Sequence, residues 1–284
     1  MLFRSRNFDR AAASYDAAAV LQHEVCKRMA GRLSYMKHEP TLILDAGCGT
    51  GNALPLLRKR YPKARVVALD LAPAMLVTAR ERWHLGQPRW KALFAAPLEA
   101  VCGDIETLPF ATGSVGLVWS NLSLQWMGDL PRAFAELHRV LAPGGLLMFS
   151  TFGPDTLKEL RSAYAAVDGA THVNRFIDLH DIGDMLVKAR YADPVMDMEP
   201  FTLTYDTARA VMRDLKAIGA NTVVDGQPSG LMGRARFSAL ESAYEPLRRD
   251  GKLPATFEVI YGHAWKPLPR TTASGKRIID VNPI

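Results

Sequence analysis

The residues of this sequence best suited to chemistry are three aspartates, each placed directly after an apolar segment. The first, Asp45, opens the glycine-rich run DAGCGTG (45–51), in which the glycines are spaced G-x-G-x-G. Glycines at a strand-to-helix turn let backbone N–H groups come close to a ligand. Dinucleotide enzymes use the spacing G-x-G-x-x-G, which leaves room for a pyrophosphate. An acid in front of the turn suits an ammonium group instead, and the alternative is a tight turn that binds nothing.

The other two aspartates suit the remaining parts of a nucleoside. Asp70 ends the segment VVALD (66–70), where a carboxylate can accept hydrogen bonds from both ribose hydroxyls. Asp104, between Gly103 and Ile105, could accept from the exocyclic amine of adenine. Each could instead be a cap, Asp70 for a following helix and Asp104 for its own loop. Three acids after three successive strands, with the glycine turn at the first, favour one ligand site.

Such a site needs a scaffold that brings the ends of several strands together. Short apolar segments alternate with helical patterns along the first half of the chain. The predicted strands are 41–51, 66–70, 98–102, 115–120 and 146–152, and the helices between them are 52–65, 73–83 and 129–145. This alternation predicts an α/β, doubly wound and mostly parallel sheet that is covered on both faces.

The remaining segments add mainly helices, with two late strands at 194–204 and 256–265. No repeat or low-complexity linker separates a second core, so one domain is expected. The domain is expected to span residues 1–266, and a flexible tail (267–284) follows it. The parts of the domain are a helical cover (1–40), a ligand-binding core (41–152) and helical lid or substrate insertions (153–192 and 205–253).

Composition narrows the class of protein. The 284 residues are 48% hydrophobic and 23% charged, which excludes wholesale disorder. The three cysteines form no CxxC or Cys/His cluster, so neither a disulfide framework nor a metal site is expected. No apolar run approaches the ~18 residues of a membrane span, and a cytoplasmic protein without a membrane partner is expected. The net charge of +6 favours an acidic partner only weakly.

The glycine turn and the three acids resemble the class I S-adenosylmethionine-dependent methyltransferases. The resemblance implies a Rossmann-like, seven-stranded sheet, a methyltransferase domain over residues 1–266 and S-adenosyl-L-methionine as cofactor. It also implies one role for each matching residue. The methionine end would be held by Asp45, Gly47 and Gly49, the ribose by Asp70, the adenine by Leu71, Asp104 and Ile105, and the sulfonium would lie beside Asn121. Tyr15 and Phe8 could close the cavity from the N-terminal helix, or serve packing alone.

More of the chain, about residues 8–266, resembles the malonyl-acyl-carrier-protein O-methyltransferases of biotin synthesis. The resemblance implies methyl transfer to the free carboxylate of a malonyl thioester, on acyl carrier protein or coenzyme A, giving the ester that starts pimeloyl and biotin synthesis. This chain departs from the family pattern in two places. It has Val115-Gly116 where Phe-Asp is expected, and it has extra length at 84–97. The matching pieces include LQHEVCKRM (21–29), SNLSLQW (120–126), FSTFGPDTLKEL (149–160), HVNRFIDLHDIGDML (172–186) and FEVIYGHAW (257–265).

This chemistry needs few catalytic groups. A carboxylate is ionised near neutral pH, so no general base is expected, and the absence of a Ser/His/Asp or Cys/His signature fits. The malonyl carboxylate does call for a cationic clamp, and an arginine fork can bind it bidentately. Arg175, in the insertion after the fifth strand, is the candidate; the alternative is an ion pair with Asp178.

The late insertion is rich in basic residues, which could steer an acidic acyl carrier protein toward Lys216 and Arg234. Interleaved acids leave a solvated helical face as the alternative. Two other functions also stay open. One is a related enzyme acting on another small molecule or on RNA, although no aromatic-interleaved basic stripe indicates a nucleic acid. The other is a protein-binding or protein-modifying assembly factor that resembles those of mitochondrial complex I.

Overall fold

Seven strands pair into one sheet in the computed structural model, which describes residues 2–84, 97–168, 171–218 and 233–269. The sheet order is β3-β2-β1-β4-β5-β7-β6, with β7 antiparallel to both of its neighbours and the other pairs parallel. The predicted doubly wound, mostly parallel fold is confirmed. The strands are β1 (Leu42–Ala46), β2 (Arg65–Asp70), β3 (Glu99–Cys102), β4 (Val115–Asn121), β5 (Leu141–Phe152), β6 (Ala192–Tyr205) and β7 (Leu253–Trp265).

Helices cover both faces of this sheet, and each face has its own buried apolar cluster. The helix that precedes β5 begins as predicted: the Asp129 carboxylate caps it by accepting from the backbone N–H of Arg132. The described helices are α1 (Leu2–Ala18), α2 (Val20–Arg32), α3 (Leu54–Arg60), α4 (Pro73–His84), α5 (Leu130–Val140), α6 (Lys158–Ala165), α7 (Leu179–Lys188), α8 (Ala208–Ala217) and α9 (Arg234–Tyr244).

The fifth strand begins earlier than the sequence predicts. We expect a helix through residue 145, stopped by Pro-Gly-Gly, whereas β5 already begins at Leu141, which pairs with Val115. The register shifts after that pair, and Gly144 has a positive φ of 77°. Its N–H donates to the carbonyl of Lys266 beside the sheet. The Pro-Gly-Gly segment is therefore an irregularity inside the strand, held by a residue distant in sequence.

The first helix lies at the carboxyl edge of the parallel strands. Asp9 accepts a hydrogen bond from the Ala74 N–H at the start of α4, at 3.0 Å. Asp16 accepts from the Thr50 hydroxyl of the glycine turn at 2.6 Å and pairs with Arg82 of α4. These contacts fix α1 across the point where the strand order reverses between β1 and β4, which is where α/β sheets of this type bind ligands.

Parts of three predicted segments, the extra length at 84–97, the late insertion and the tail, lie outside the described residues. The division of the chain into cover, core, lids and tail stays a prediction. Within the described part, no helix is both long and apolar enough to cross a membrane.

Candidate active site

The carboxyl ends of β1 to β4 open into one cavity beneath α1, which we call the cofactor cavity. All ten residues predicted to bind the cofactor line it: Phe8, Tyr15, Asp45, Gly47, Gly49, Asp70, Leu71, Asp104, Ile105 and Asn121. They come from five separate parts of the chain. Four of these lie at or just after the ends of adjacent parallel strands, which share one edge of the sheet, and α1 supplies Phe8 and Tyr15.

The glycine turn differs from its prediction in how it uses its backbone donors. The N–H groups of Gly47 and Cys48 both donate to the Leu69 carbonyl, at 2.8 and 3.0 Å, and the Gly49 N–H donates to Asp70 Oδ2 at 2.8 Å. These three donors therefore hold the turn against β2 instead of facing a ligand. Gly47 is needed for space, because a Cβ there would lie 2.4 Å from Ser123 Cβ. A Cβ at Gly49 would meet nothing within 4 Å, and the requirement at that position is the positive φ of 52°.

Asp104 realises the alternative of capping its own loop, whereas Asp70 binds two backbone N–H groups that lie outside the following helix and does not cap it. Asp70 Oδ1 accepts from the Ala72 N–H at 2.9 Å, just before α4, and its other oxygen holds the turn. Burial raises the pKa of Asp70 above its ordinary value. Asp104 Oδ1 accepts from the Glu106 N–H at 3.0 Å, while its Oδ2 is buried with no hydrogen-bond partner among the described residues. Asp104 therefore has a buried acceptor left for a ligand.

Asp45 is the most perturbed carboxyl group of the cavity. It is 1% exposed, and its Oδ2 also has no hydrogen-bond partner in the described part of the chain. Burial, and secondarily the charge of Asp70, raises the pKa of Asp45 to about 8. The described lining of the cavity contains three aspartates and neither Lys nor Arg. Buried carboxylates need a cationic partner, and a ligand bearing an ammonium and a sulfonium would provide one.

Asn121 is held by both ends of its amide. Its Nδ2 donates to the Gln22 carbonyl at 3.1 Å, and its Oδ1 accepts from the Ser150 hydroxyl at 3.0 Å. Asn121 thereby joins β4, β5 and α2 at the cavity wall, which fixes its position but commits its polar atoms to the protein.

Among the cavity residues that sequence reasoning missed are His23 and Trp126. His23 Nε2 lies 3.6 Å from Asp16 Oδ1, and the Trp126 ring packs edge-on against Phe8 with centroids 5.5 Å apart. Both stand inside sequence pieces that carry the family resemblance, 21–29 and 120–126, and that was the available signal.

Arg175 does not line the cofactor cavity. It is exposed and lines a neighbouring cavity, here called the Arg175 cavity, which shares Met127 with the cofactor cavity. The alternative ion pair with Asp178 is not formed between these two described residues. Asp178 instead accepts from the backbone N–H and from Nδ1 of His180, at 2.8 and 2.9 Å. The role of Arg175 as a clamp stays a prediction.

The sheet order, the antiparallel seventh strand and a carboxylate-lined cavity at the switch point define a class I methyltransferase that uses S-adenosyl-L-methionine. Residues 44–149 match the family model described as a methyltransferase domain. The crystal structure of a putative methyltransferase from Bacillus halodurans has a TM-score of 0.59 at 18% identity, and the match covers 85% of this chain and 98% of that one. Phosphoethanolamine N-methyltransferase 2 of Haemonchus contortus, solved with S-adenosyl-L-methionine, has a TM-score of 0.53 at 18% identity over 91% of this chain and 57% of that one.

Within this class, a relative that matches nearly the whole chain identifies the family to which the chain belongs. The malonyl-[acyl-carrier protein] O-methyltransferase of Laribacter hongkongensis is 57% identical over 280 residues, which are 98% of this chain and 94% of that protein. The chain therefore belongs to the malonyl-[acyl-carrier protein] O-methyltransferase family. It is an S-adenosylmethionine-dependent O-methyltransferase.

Proposed function

We propose that this chain methylates the free carboxylate of a malonyl thioester carried by acyl carrier protein or coenzyme A. The product would be the methyl ester that starts pimeloyl and biotin synthesis. The observation that carries this proposal is the extent of the similarity to the Laribacter relative, which covers 98% of the chain. It thus includes the segments after β5 as well as the cofactor core.

The cofactor roles that we propose are those that the resemblance to class I methyltransferases implies, and two unpartnered aspartate oxygens in the cavity support them. Asp45, with Gly47 and Gly49, holds the methionine end; Asp70 takes the ribose, and Leu71, Asp104 and Ile105 surround the adenine. In support, Asp45 and Asp104 each keep a buried oxygen that no described residue satisfies. Asn121 lies beside the sulfonium, and Tyr15 and Phe8 close the cavity from α1. When bound, the cofactor supplies an electrophilic methyl group on a sulfonium cation.

The protein's part in the reaction is to align the acceptor and to remove water from it. The acceptor carboxylate is already ionised, so no residue has to take a proton from it. We place the entry of this carboxylate on the side of Trp126 and Met127, the lining residues that the cofactor cavity shares with its two neighbouring cavities. His23 is the one side chain in the described lining that can carry a positive charge. The His23 side chain contacts the carboxylate of Asp16.

Arg175 is the proposed clamp of the malonyl carboxylate. Its exposure leaves the guanidinium accessible to an incoming substrate, and the Arg175 cavity meets the cofactor cavity at Met127. A guanidinium can hold a carboxylate bidentately, which would restrict the direction from which the oxygen approaches the methyl group.

Lys216 and Arg234 are the proposed docking residues for the carrier protein. Both are exposed, Lys216 near the end of α8 and Arg234 at the start of α9. The interleaved acid Asp214 is only partly exposed, and it accepts a hydrogen bond from the Tyr205 hydroxyl at 2.6 Å. Exposed cations on these two helices would complement an acidic carrier protein.

The decisive assay incubates the pure protein with methyl-labelled cofactor and malonyl-acyl carrier protein, and measures a base-labile methyl ester. Absence of ester on malonyl-acyl carrier protein and on malonyl-coenzyme A would refute the proposal. Tight binding to a protein partner without turnover would favour an assembly factor.

Lys216→Glu with Arg234→Glu should raise KM for the carrier-bound substrate and reduce its salt dependence. It should leave a small malonyl thioester almost unaffected, and equal losses on both substrates would contradict the docking assignment.

A further inference from the structure

A second cavity, which we call the apolar cavity, adjoins the cofactor cavity at Trp126, a residue that lines both. We infer that it binds the uncharged alkyl-amide arm of a pantetheine-type thioester, between the carrier protein and the malonyl group. The inference rests on the proposed function and adds the path of the substrate to it. The side chains that line the cavity are mostly apolar: Phe152, Leu157, Leu160, Val173, Phe176, Met212, Leu215, Ile218 and Phe257, together with Thr156, His172 and Asn174.

Helix α8 relates this cavity to the docking surface. Met212 and Leu215, three residues apart, lie on the face of α8 that lines the apolar cavity. The cations Arg209, Arg213 and Lys216 are exposed on the same helix. One helix therefore separates a basic outer surface from an apolar inner one. A carrier protein held by the cations would place its arm beside the helix whose inner face lines this cavity, and Trp126 lines the same cavity.

The polar side chain of His172 is held in the cavity wall by contacts within the protein. His172 has only 7% of its side chain exposed, and its Nε2 lies 2.8 Å from Asp168 Oδ1 and 3.1 Å from an Arg236 guanidinium nitrogen. Its ring stacks on Tyr164 with centroids 4.0 Å apart. Arg236 also pairs with Asp168. The imidazole is thereby fixed in the cavity wall.

A lining whose described residues are mostly apolar, with a few polar atoms and no charged side chain, matches an uncharged arm of alkyl and amide groups. The polar atoms of the wall have protein partners, since the Thr156 hydroxyl donates to the Glu258 carbonyl and accepts from the Glu258 N–H, so the contact with the arm is mainly apolar. The arm also carries no charge, in keeping with a described lining that contains no Lys, Arg, Asp or Glu.

The test compares two malonyl thioesters that differ in arm length, malonyl-N-acetylcysteamine and malonyl-pantetheine. The parental protein should have at least a tenfold higher kcat/KM for the longer substrate. Leu215→Trp, which fills the cavity at α8, should abolish this preference while leaving kcat/KM for the short substrate and cofactor affinity within twofold. Val187→Trp, at an exposed position of α7 that lines neither cavity, is the matched control and should keep the preference.

Three outcomes would overturn the inference. Equal losses on both substrates in Leu215→Trp, or no preference in the parental protein, would exclude the apolar cavity as the arm site while leaving methylation itself established. No methylation of either thioester, nor of malonyl-acyl carrier protein, by the parental protein would instead refute the proposed function and the inference with it. Should Leu215→Trp have a melting temperature lower than that of the parental protein, Met212→Phe fills the same cavity with a smaller change and must lose the preference as well.

Discussion

Asp45→Asn tests whether the buried carboxyl group at the end of β1 holds the cationic end of the cofactor. Burial and the charge of Asp70 raise the pKa of Asp45 to about 8. At pH 7 such a group is about nine-tenths protonated, and ionising it costs about 1.4 kcal/mol, the free energy of one pH unit. A bound ammonium stabilises the ionised form, so binding should release about one proton from Asp45.

Cofactor affinity should therefore rise nearly tenfold, by about 1.4 kcal/mol, from pH 6 to pH 7. Over this range the amino group of the cofactor, with an ordinary α-amino pKa of about 7.7–8.0, stays largely protonated. Asp45→Asn has no proton to lose and should lack this rise. Asp70, whose pKa burial also raises, is present in both proteins, so the difference between the two affinity curves isolates Asp45.

Titration calorimetry at both pH values, in buffers of different ionisation enthalpy, measures affinity and proton release together. Asp184→Asn removes an exposed carboxylate that does not line the cofactor cavity and should behave as the parental protein. Equal pH slopes in the parental protein and Asp45→Asn would refute the assignment. Without cofactor, the folded-state pKa lies above the ordinary 3.8, so Asp45 should cost stability as pH rises from about 4 toward 8. Asp45→Asn should not show this loss in thermal unfolding.

Four further changes test other parts of the site and fold. Gly49→Val places a side chain in the cavity and should abolish cofactor binding, whereas Gly113→Val, which also has positive φ and open space but lies on a remote loop, should not; calorimetry separates the two, and equal affinities would remove Gly49 from the site. Asp70→Ala should weaken cofactor binding by about 1–3 kcal/mol and also lower the melting temperature, since it removes the acceptors of two backbone N–H groups. Arg175→Ala should keep cofactor affinity but reduce turnover of malonyl thioester at least tenfold, about 1.4 kcal/mol, and parental turnover would place the clamp elsewhere. Asp129→Ala should lower the free energy of unfolding by about 1 kcal/mol through loss of the α5 cap, with no change in KM, as denaturant titration would measure.

The parts of this protein that the sequence determines by itself are those encoded over a few consecutive residues. Alternating strands and helices, the Asp129 cap and the G-x-G-x-G turn each depend on local spacing and backbone preference. The convergence of Asp45, Asp70 and Asp104 also follows, because parallel strands place their carboxyl ends at one edge of the sheet. The early start of β5 does not follow, because local Pro-Gly-Gly chemistry indicates a stop and a contact with distant Lys266 keeps the segment in the sheet.

The tertiary structure alone decided how distant segments share space. It committed the turn's N–H groups to Leu69 and Asp70, and it placed Arg175 in a cavity apart from the aspartates. The apolar cavity likewise combines residues from Trp126 to Phe257. The walls of this cavity come from strands and helices that are distant in sequence. The side-chain periodicity of one helix or strand shows which of its faces is buried, but it does not specify which other helix or strand that face will contact.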